Sequence, residues 1–366
     1  MADIFKTLRT PGLSGMLAGD PPGTSLAGTF GGATGPTKLR GTTRSDTIRG
    51  DAGNNLIEGY GGNDLLAGNG GADTIRGGTG NDTIILSPGA VLLDGGSGTD
   101  TLVAAADGKG ADLSLSFIRS IENLRGSSEG ERLAGSKGAN VISAGSGDDT
   151  VQGNDGNDRL LGESGRDVLD GGRGNDSLNG GADADILAGR EGADLLEGGD
   201  GDDALDGGIG NDRLLGGNGK DRLAGATGND TIDGGWHDDQ LRGDAGNDRL
   251  EGGEGNDVLS GDSGNDRLGG GAGSDTLQGG TGSDELWGGI GIDTFVFSPG
   301  CGSDHIRDYD GDQLVIDEAI FGKGPIDLHD HFVKCGDTIL LAGIDDFIYV
   351  HGVKDLESFF QHVTLV

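Results

Sequence analysis

An all-β solenoid of short parallel strands, stacked turn upon turn, is the fold class this sequence predicts, and three observations predict it. From Gly126 to Val296 the chain divides into nineteen consecutive nine-residue units without an insertion or deletion, and a fixed short period of this kind means stacked supersecondary units. Glycine fills 81 of 366 positions, about three times its usual share. Aromatic residues make up 4% of the chain and apolar residues 32%, too few for a broad interdigitated core, so the buried side chains must form a narrow repeated seam.

Representative units read GGRGNDSLN from Gly171, GGIGNDRLL from Gly207 and GGEGNDVLS from Gly252, a pattern GGxGxDxUx in which U is a large apolar residue. Position 8 is apolar in every unit, from Leu133 through Leu214 to Phe295. Position 6 is Asp in all but the first two units, which carry Glu131 and Asn140, and position 4 is Gly except at Glu129, Asp183 and His237. Glycine supplies the positive φ that tight turns require. Because side chains alternate along a strand, one apolar residue per unit points inward. The pattern therefore predicts a six-residue loop and a three-residue strand per unit, two units making one 18-residue turn.

Five segments follow in order. Residues 1–40 are a Gly/Pro-rich N-terminal stretch. Residues 41–103 form a shorter array in its own register, with Asp46, Asn55, Asp64, Asp73, Asp82 and Asp100 at position 6. Inside it, LSPGAVLLD from Leu86 keeps the length but lacks the glycines and the acid, and predicts a turn without a metal site. Residues 104–125 break register, and ADLSLSFIRSIENL within them alternates as a strand and then takes a short helical pattern. Residues 126–296 are the long array. Residues 297–366 begin with PGCGSDHIR, a degenerate unit with Asp304 and Ile306 in the expected places, and continue with strand-like DQLVID, HFVKCGDTILLAG and DDFIYVHG.

The formal charge is −36, from 26 Lys plus Arg against 62 Asp plus Glu. Nucleic acid is excluded as a partner, because its affinity rests on cationic contacts to phosphate. No window approaches the length of a transmembrane helix, and the N-terminal residues lack the apolar stretch of a secretory signal peptide. Scattered acids would read as a solvated chain, but these lie on a lattice. Stacking turns about 4.8 Å apart aligns residues eighteen apart. One face then carries Asp149, Asp167, Asp185, Asp203, Asp221, Asp239, Asp257, Asp275 and Asp293, and the other Asp158, Asp176, Asp194, Asp212, Asp230, Asp248, Asp266 and Asp284. Bare carboxylate columns at that spacing repel, so the pattern demands a divalent cation. Calcium suits loops that offer carboxylates and glycine carbonyls, since it takes six to eight oxygens in forgiving geometry. Magnesium wants stricter octahedra, and zinc and copper want His or Cys, which these loops lack. Nineteen units leave seventeen inter-layer positions, hence up to 34 positive charges against the −36. The same reasoning makes Asp64, Asp73, Asp82, Asp100 and Asp304 candidate ligands.

These repeats resemble those of the RTX, or haemolysin-type calcium-binding, family. The resemblance implies a right-handed parallel β-roll, folding triggered by multiple Ca2+ ions, and export to the extracellular space by type I secretion machinery without an N-terminal signal. DTFVFSPGCGSDHIRDYDGDQLVID from Asp293 resembles the capping region that closes such rolls, giving a small β-rich C-terminal cap. The closing VKDLESFFQHVTLV resembles a type I export signal.

Other constellations carry less. Repeated GxG fragments lack the strand–loop–helix context of a phosphate cradle. His329 and His331 share a strand face but have no third ligand, and Cys301 and Cys335 leave a disulfide open. Trp236 and His237 stand at positions 3 and 4 of one loop, where a ligand-stacking site competes with surface variation. No catalytic set can be assembled, so the chain reads as a non-enzyme. The rival readings are an extracellular adhesin or module binding polysaccharide or the cell surface, for which Trp236 and position-7 arginines such as Arg159, Arg213, Arg222, Arg249 and Arg267 are the available residues, and the non-catalytic part of a secreted hydrolase or toxin.

Overall fold

The computed structural model describes residues 27–29, 37–105, 109–116, 118–321, 332–335, 338–342 and 346–366; His329 and His331 lie outside them. The chain forms two compact units, 1–145 and 146–366, both built mainly of parallel strands.

In the first unit, Thr37–Arg40, Asn55–Gly61, Thr74–Thr79, Leu92–Ser97 and Ile118–Arg119 pair in succession as one parallel sheet. Thr47–Arg49, Leu65–Ala67, Thr83–Ile85, Thr101–Val103, Asn123–Arg125 and Val141–Ser146 form another. The seam between them is one apolar residue per strand, with Ile57, Ile75, Leu93, Ile48, Leu66, Ile84, Leu102, Leu124 and Ile142 all at most 2% exposed. Among the described residues of 104–125 the expected short helix does not form. Leu124 stacks between Leu102 and Ile142, and burial in that column overrides the local helical spacing of the Ile and Leu residues. The stack simply accommodates a longer loop: partners there are 22 residues apart instead of eighteen.

In the second unit successive nine-residue units alternate between two sheets, so that each turn contributes one strand to either side. Val168–Arg173, Ile186–Glu191 and Ala204–Ile209 stack in one; Ser177–Ala182, Leu195–Asp200 and Arg213–Asn218 stack in the other. Every pairing along 150–290 joins residues eighteen apart, as in Leu178↔Leu196↔Leu214↔Ile232. The position-8 residues from Val151 to Phe295 are at most 2% exposed.

Strands differ from expectation in length. Most run for six residues, as in Val168–Arg173 and Arg213–Asn218, passing through the glycine pair and leaving turns of three. The strand continues because position 2 turns over with positive φ, at Gly172 (105°) and even Glu163 (76°), and re-enters the parallel ladder at position 3. Position 4 is the tighter turn. A Cβ on Gly210, whose φ is 147°, would collide with the Gly192 carbonyl one layer below. Asp183 and His237 occupy this position with φ of 75° and 83°, the left-handed region that Asp and His tolerate better than most residues.

The C-terminal part continues both sheets. Ser303–Ile306 stacks on Glu285–Ile290 and Phe347–His351 stacks on Ser303–Ile306, with Thr338–Ala342 and Phe332–Cys335 added antiparallel. On the other side Thr294–Phe297, Gln313–Ile316 and Val363–Leu365 follow in parallel. Between the last two strands a short helix, Leu356–Phe360, is N-capped by the Asp355 side chain and buries Phe359 edge-on against Tyr309, ring centroids 5.4 Å apart. Cys301 is buried and free; the Cys335 side chain lies outside the described residues.

Candidate functional site

The position-6 aspartates end each three-residue turn, where the chain bends back toward the seam. That placement buries them: Asp167, Asp185, Asp203, Asp221, Asp239, Asp257, Asp275 and Asp293 are 1% exposed, and the members of the opposite column at most 3%. Each Oδ1 accepts the backbone N–H of the Asp one layer earlier. Along one side the bonds run Asp149 to Asp167, Asp167 to Asp185 and so on to Asp257 with Asp275, at 2.8 Å throughout, closing with Asp275 to Asp293 at 2.9 Å. Along the other they run from Asp158 to Asp176 through Asp194, Asp212, Asp230, Asp248 and Asp266 to Asp284 at 2.7–2.9 Å. Both columns fall where the eighteen-residue period places them.

Their second oxygens are different. Oδ2 of every Asp in both columns, and of Asp64, Asp73, Asp82, Asp100 and Asp304, is buried with no hydrogen-bond partner. Where position 1 of the unit is glycine, as it is for the column aspartates from Asp158 to Asp293, Oδ2 points at its bare Cα, next to a carbonyl of the following layer: a Cβ on Gly207 would meet Asp212 Oδ2 at 2.6 Å and the Gly225 carbonyl oxygen at 2.9 Å. Glycine at position 1 thus keeps open a space that acceptor oxygens share. A buried carboxylate oxygen without a donor costs free energy, and each of these lies beside further acceptors.

Burial is the largest influence on the column aspartates from Asp167 to Asp293 and on Asp64, Asp82, Asp100 and Asp304, and raises their pKa values. It is offset by the N–H bond from the preceding Asp and reinforced by neighbouring carboxylates. Asp185, Asp194, Asp239 and Asp248 are pushed up to about 7, and Asp64, Asp100, Asp167, Asp221, Asp230, Asp266 and Asp275 to about 6. Asp284 and Asp304 are raised together, each by burial first.

The donor set fits hard cations. Each repeat loop offers its position-6 carboxylate beside backbone carbonyls, and among the described residues no three Asp, Glu, His or Cys side chains are gathered so as to hold an ion by themselves. An all-oxygen set of carboxylates and carbonyls suits calcium better than zinc or copper, which favour His and Cys.

Two ligand-like residues were not legible in the repeat register. Asp312 accepts the Asp293 N–H at 3.0 Å, and Glu122 accepts the Asp100 N–H at 2.9 Å. They lie 19 and 22 residues on, outside the eighteen-residue period; the excess acid in DYDGD and the single Glu of SIENL were the available signals. Asp304, twenty residues beyond Asp284, bonds the Asp284 N–H at 3.0 Å. In the short array, Asp46 and Asn55 donate their N–H groups to Asp64 and Asp73 at 2.8 Å. After Asp73 the column stops, because Val91 stands where the next acid would be, 53% exposed.

Parallel turns whose internal columns present unpartnered carboxylate oxygens define a cation-binding repeat solenoid. The chain belongs to the family described as RTX calcium-binding nonapeptide repeat: its model matches residues 40–75, 76–108, 125–160, 152–187, 161–196, 179–214, 215–250, 233–268, 243–277 and 266–295, well over half of the sequence. It is a calcium-binding repeat protein. Among solved structures it is similar to the crystal structure of the extracellular lipase LipA from Serratia marcescens, at 16% identity and a TM-score of 0.25, over 74% of this chain and 45% of that one. The chain thus spans less than half the length of that protein. No curated protein matches the sequence. Among the described residues no helix is long and apolar enough to cross a membrane.

Proposed function

We propose that this chain is a secreted, non-catalytic protein that folds when calcium enters the loops between its turns. The ligands are Oδ2 of the position-6 aspartates from Asp149 to Asp293 and of Asp64, Asp73, Asp82, Asp100 and Asp304, together with glycine carbonyls of the same loops. The observation that carries this reading is the unpartnered, buried Oδ2 in successive layers.

Bound calcium supplies the positive charge that offsets the buried carboxylates. The protein's own groups do the rest. The Oδ1–N–H ladder fixes each carboxylate so that Oδ2 faces the loop space, and the position-1 glycines keep that space open. The seam of one leucine per strand holds successive loops in register but buries too little apolar surface to order a nine-residue unit alone, so ligand binding and folding form one equilibrium. In a cytosol poor in calcium the −36 chain stays expanded. Outside the cell it condenses, a sequence of events consistent with export by a type I machinery that reads the C-terminal segment.

Far-UV circular dichroism with millimolar calcium and with EGTA tests the reading, the expectation being β structure in calcium and a disordered spectrum in chelator. Equal β content in both would defeat it. Isothermal titration should give a stoichiometry near or above the seventeen positions of the long array.

A further inference from the structure

Both tryptophans of the chain lie on the outward face of one sheet, which the calcium columns do not use. Trp236 is at the end of Thr231–Trp236 and is 59% exposed; Trp287, on Glu285–Ile290, is 36% exposed. Their strands are joined through Arg249–Glu254 and Arg267–Ala272, three layers, or about 14 Å along the stack at the usual strand spacing. Beside Trp236 is a cavity of about 250 Å³ lined by Leu215, Gly217, Asn218, Asp233, Gly235 and Trp236. One wall is apolar, the glycines make the floor flat, and the rim holds a carboxylate and a carboxamide.

This chemistry selects among ligands. A pyranose ring presents C–H groups on its faces and hydroxyls around its edge, so it packs on an indole while its hydroxyls donate to Asp233 and to the Asn218 carbonyl. The volume lies just under the range of clefts that hold drug-sized ligands, which is room for one ring of a longer chain. An anionic glycan is disfavoured, because no cation lines the cavity and Asp233 and Glu251 stand on adjacent layers. The larger trough on the same unit, about 670 Å³, offers no better site for one. Its arginines are already held by carboxylates: Arg249 by Glu251 at 2.6 Å, Arg267 by Glu285 at 3.1 Å, and Arg307 also by Glu285.

We propose that the face carrying Trp236 and Trp287 binds a neutral polysaccharide laid along the stack, with one sugar ring seated against Trp236 over Gly217 and Gly235, beside Leu215 and Asp233. This rests on the reading of the chain as an extracellular calcium-stabilised roll. The test is tryptophan fluorescence of the full chain in millimolar calcium, titrated with cellohexaose, laminarihexaose and chitohexaose, with hexagalacturonate and choline as charged probes. The expected result is saturable binding of at least one neutral hexaose. Trp236→Ala should weaken it about tenfold or more, a difference of ~1.4 kcal/mol, and Asp233→Asn and Trp287→Ala should each weaken it several-fold, while Trp236→Phe retains most of it. Circular dichroism in calcium should be the same for all variants. Absence of binding by every neutral hexaose overturns the proposal, as does undiminished binding by Trp236→Ala or a preference for either charged probe. A chain that gains no β structure in calcium takes down the roll reading as well; one that folds but ignores the sugars defeats this proposal alone.

Discussion

At the scale of single residues, the position-6 aspartate has two oxygens with two tasks. Oδ1 is spent on the backbone of the preceding layer, and Oδ2 is left for a cation. Asp212→Asn keeps an oxygen for the Asp194 N–H, bonded at 2.8 Å, but removes the charge. Its effect should therefore change sign with conditions, destabilising the calcium-loaded chain and easing folding in chelator, as read by urea midpoints in each. Loss of stability in both would mean the charge is not the point. The raised pKa values give a pH dependence. Asp185, Asp194, Asp239 and Asp248, at about 7 when folded, bind protons more tightly in the metal-free fold than in the unfolded chain, so that fold is favoured by acid. The advantage is complete below the ordinary carboxylate range and lost as pH rises through about 7. In EGTA, circular dichroism should show more β structure at pH 5 than at pH 8. Protons compete with calcium, so the calcium midpoint should move the opposite way, to higher concentration at pH 5.

At the scale of the element, each strand contributes one inward side chain, and its neighbours above and below complete the packing. Leu214 lies between Leu196 and Ile232 in the same sheet and is fully buried. Leu214→Ala should cost about 2 to 5 kcal/mol in saturating calcium, measured by urea unfolding. A loss below about 0.5 kcal/mol, within the range of a surface change, would mean that the seam is not what holds register. The turn sets a second test. Gly207→Ala is made at a position without positive φ, so its whole effect comes from the Cβ crowding Asp212 Oδ2 and the Gly225 carbonyl. The variant should need several-fold more calcium to fold, and an unchanged calcium midpoint would refute the assignment of that space to the ion.

At the scale of the whole molecule, stability in a linear stack is a sum over repeats and their interfaces, and the end turn needs a cover. In the second unit that cover is built by Val363–Leu365 on Gln313–Ile316 and by Phe359 on Tyr309. Truncation after Asp317 should bare Leu314 and Ile316, raise the calcium midpoint and flatten the titration. An identical titration curve would show that the final 49 residues are no cap. The segment that resembles an export signal is thus also part of the folded end.

The nine-residue period determined most of this protein by itself. It specified parallel stacking, the residue from each unit that is buried, the eighteen-residue alignment of the two Asp columns and the choice of calcium, because each of these follows from periodicity and side-chain alternation that hold at every unit. Tertiary structure decided what the period does not cover. Leu124 joined the seam across a 22-residue interval and became strand, and Glu122 and Asp312 took over acid positions out of register, because stacking selects whichever residue can reach the next layer, whatever its distance along the chain. Packing also turned the expected loops into six-residue strands and brought Trp236, Leu215 and Asp233 around one cavity: contacts between layers depend on where neighbouring turns lie in space, and one unit's sequence does not contain that information.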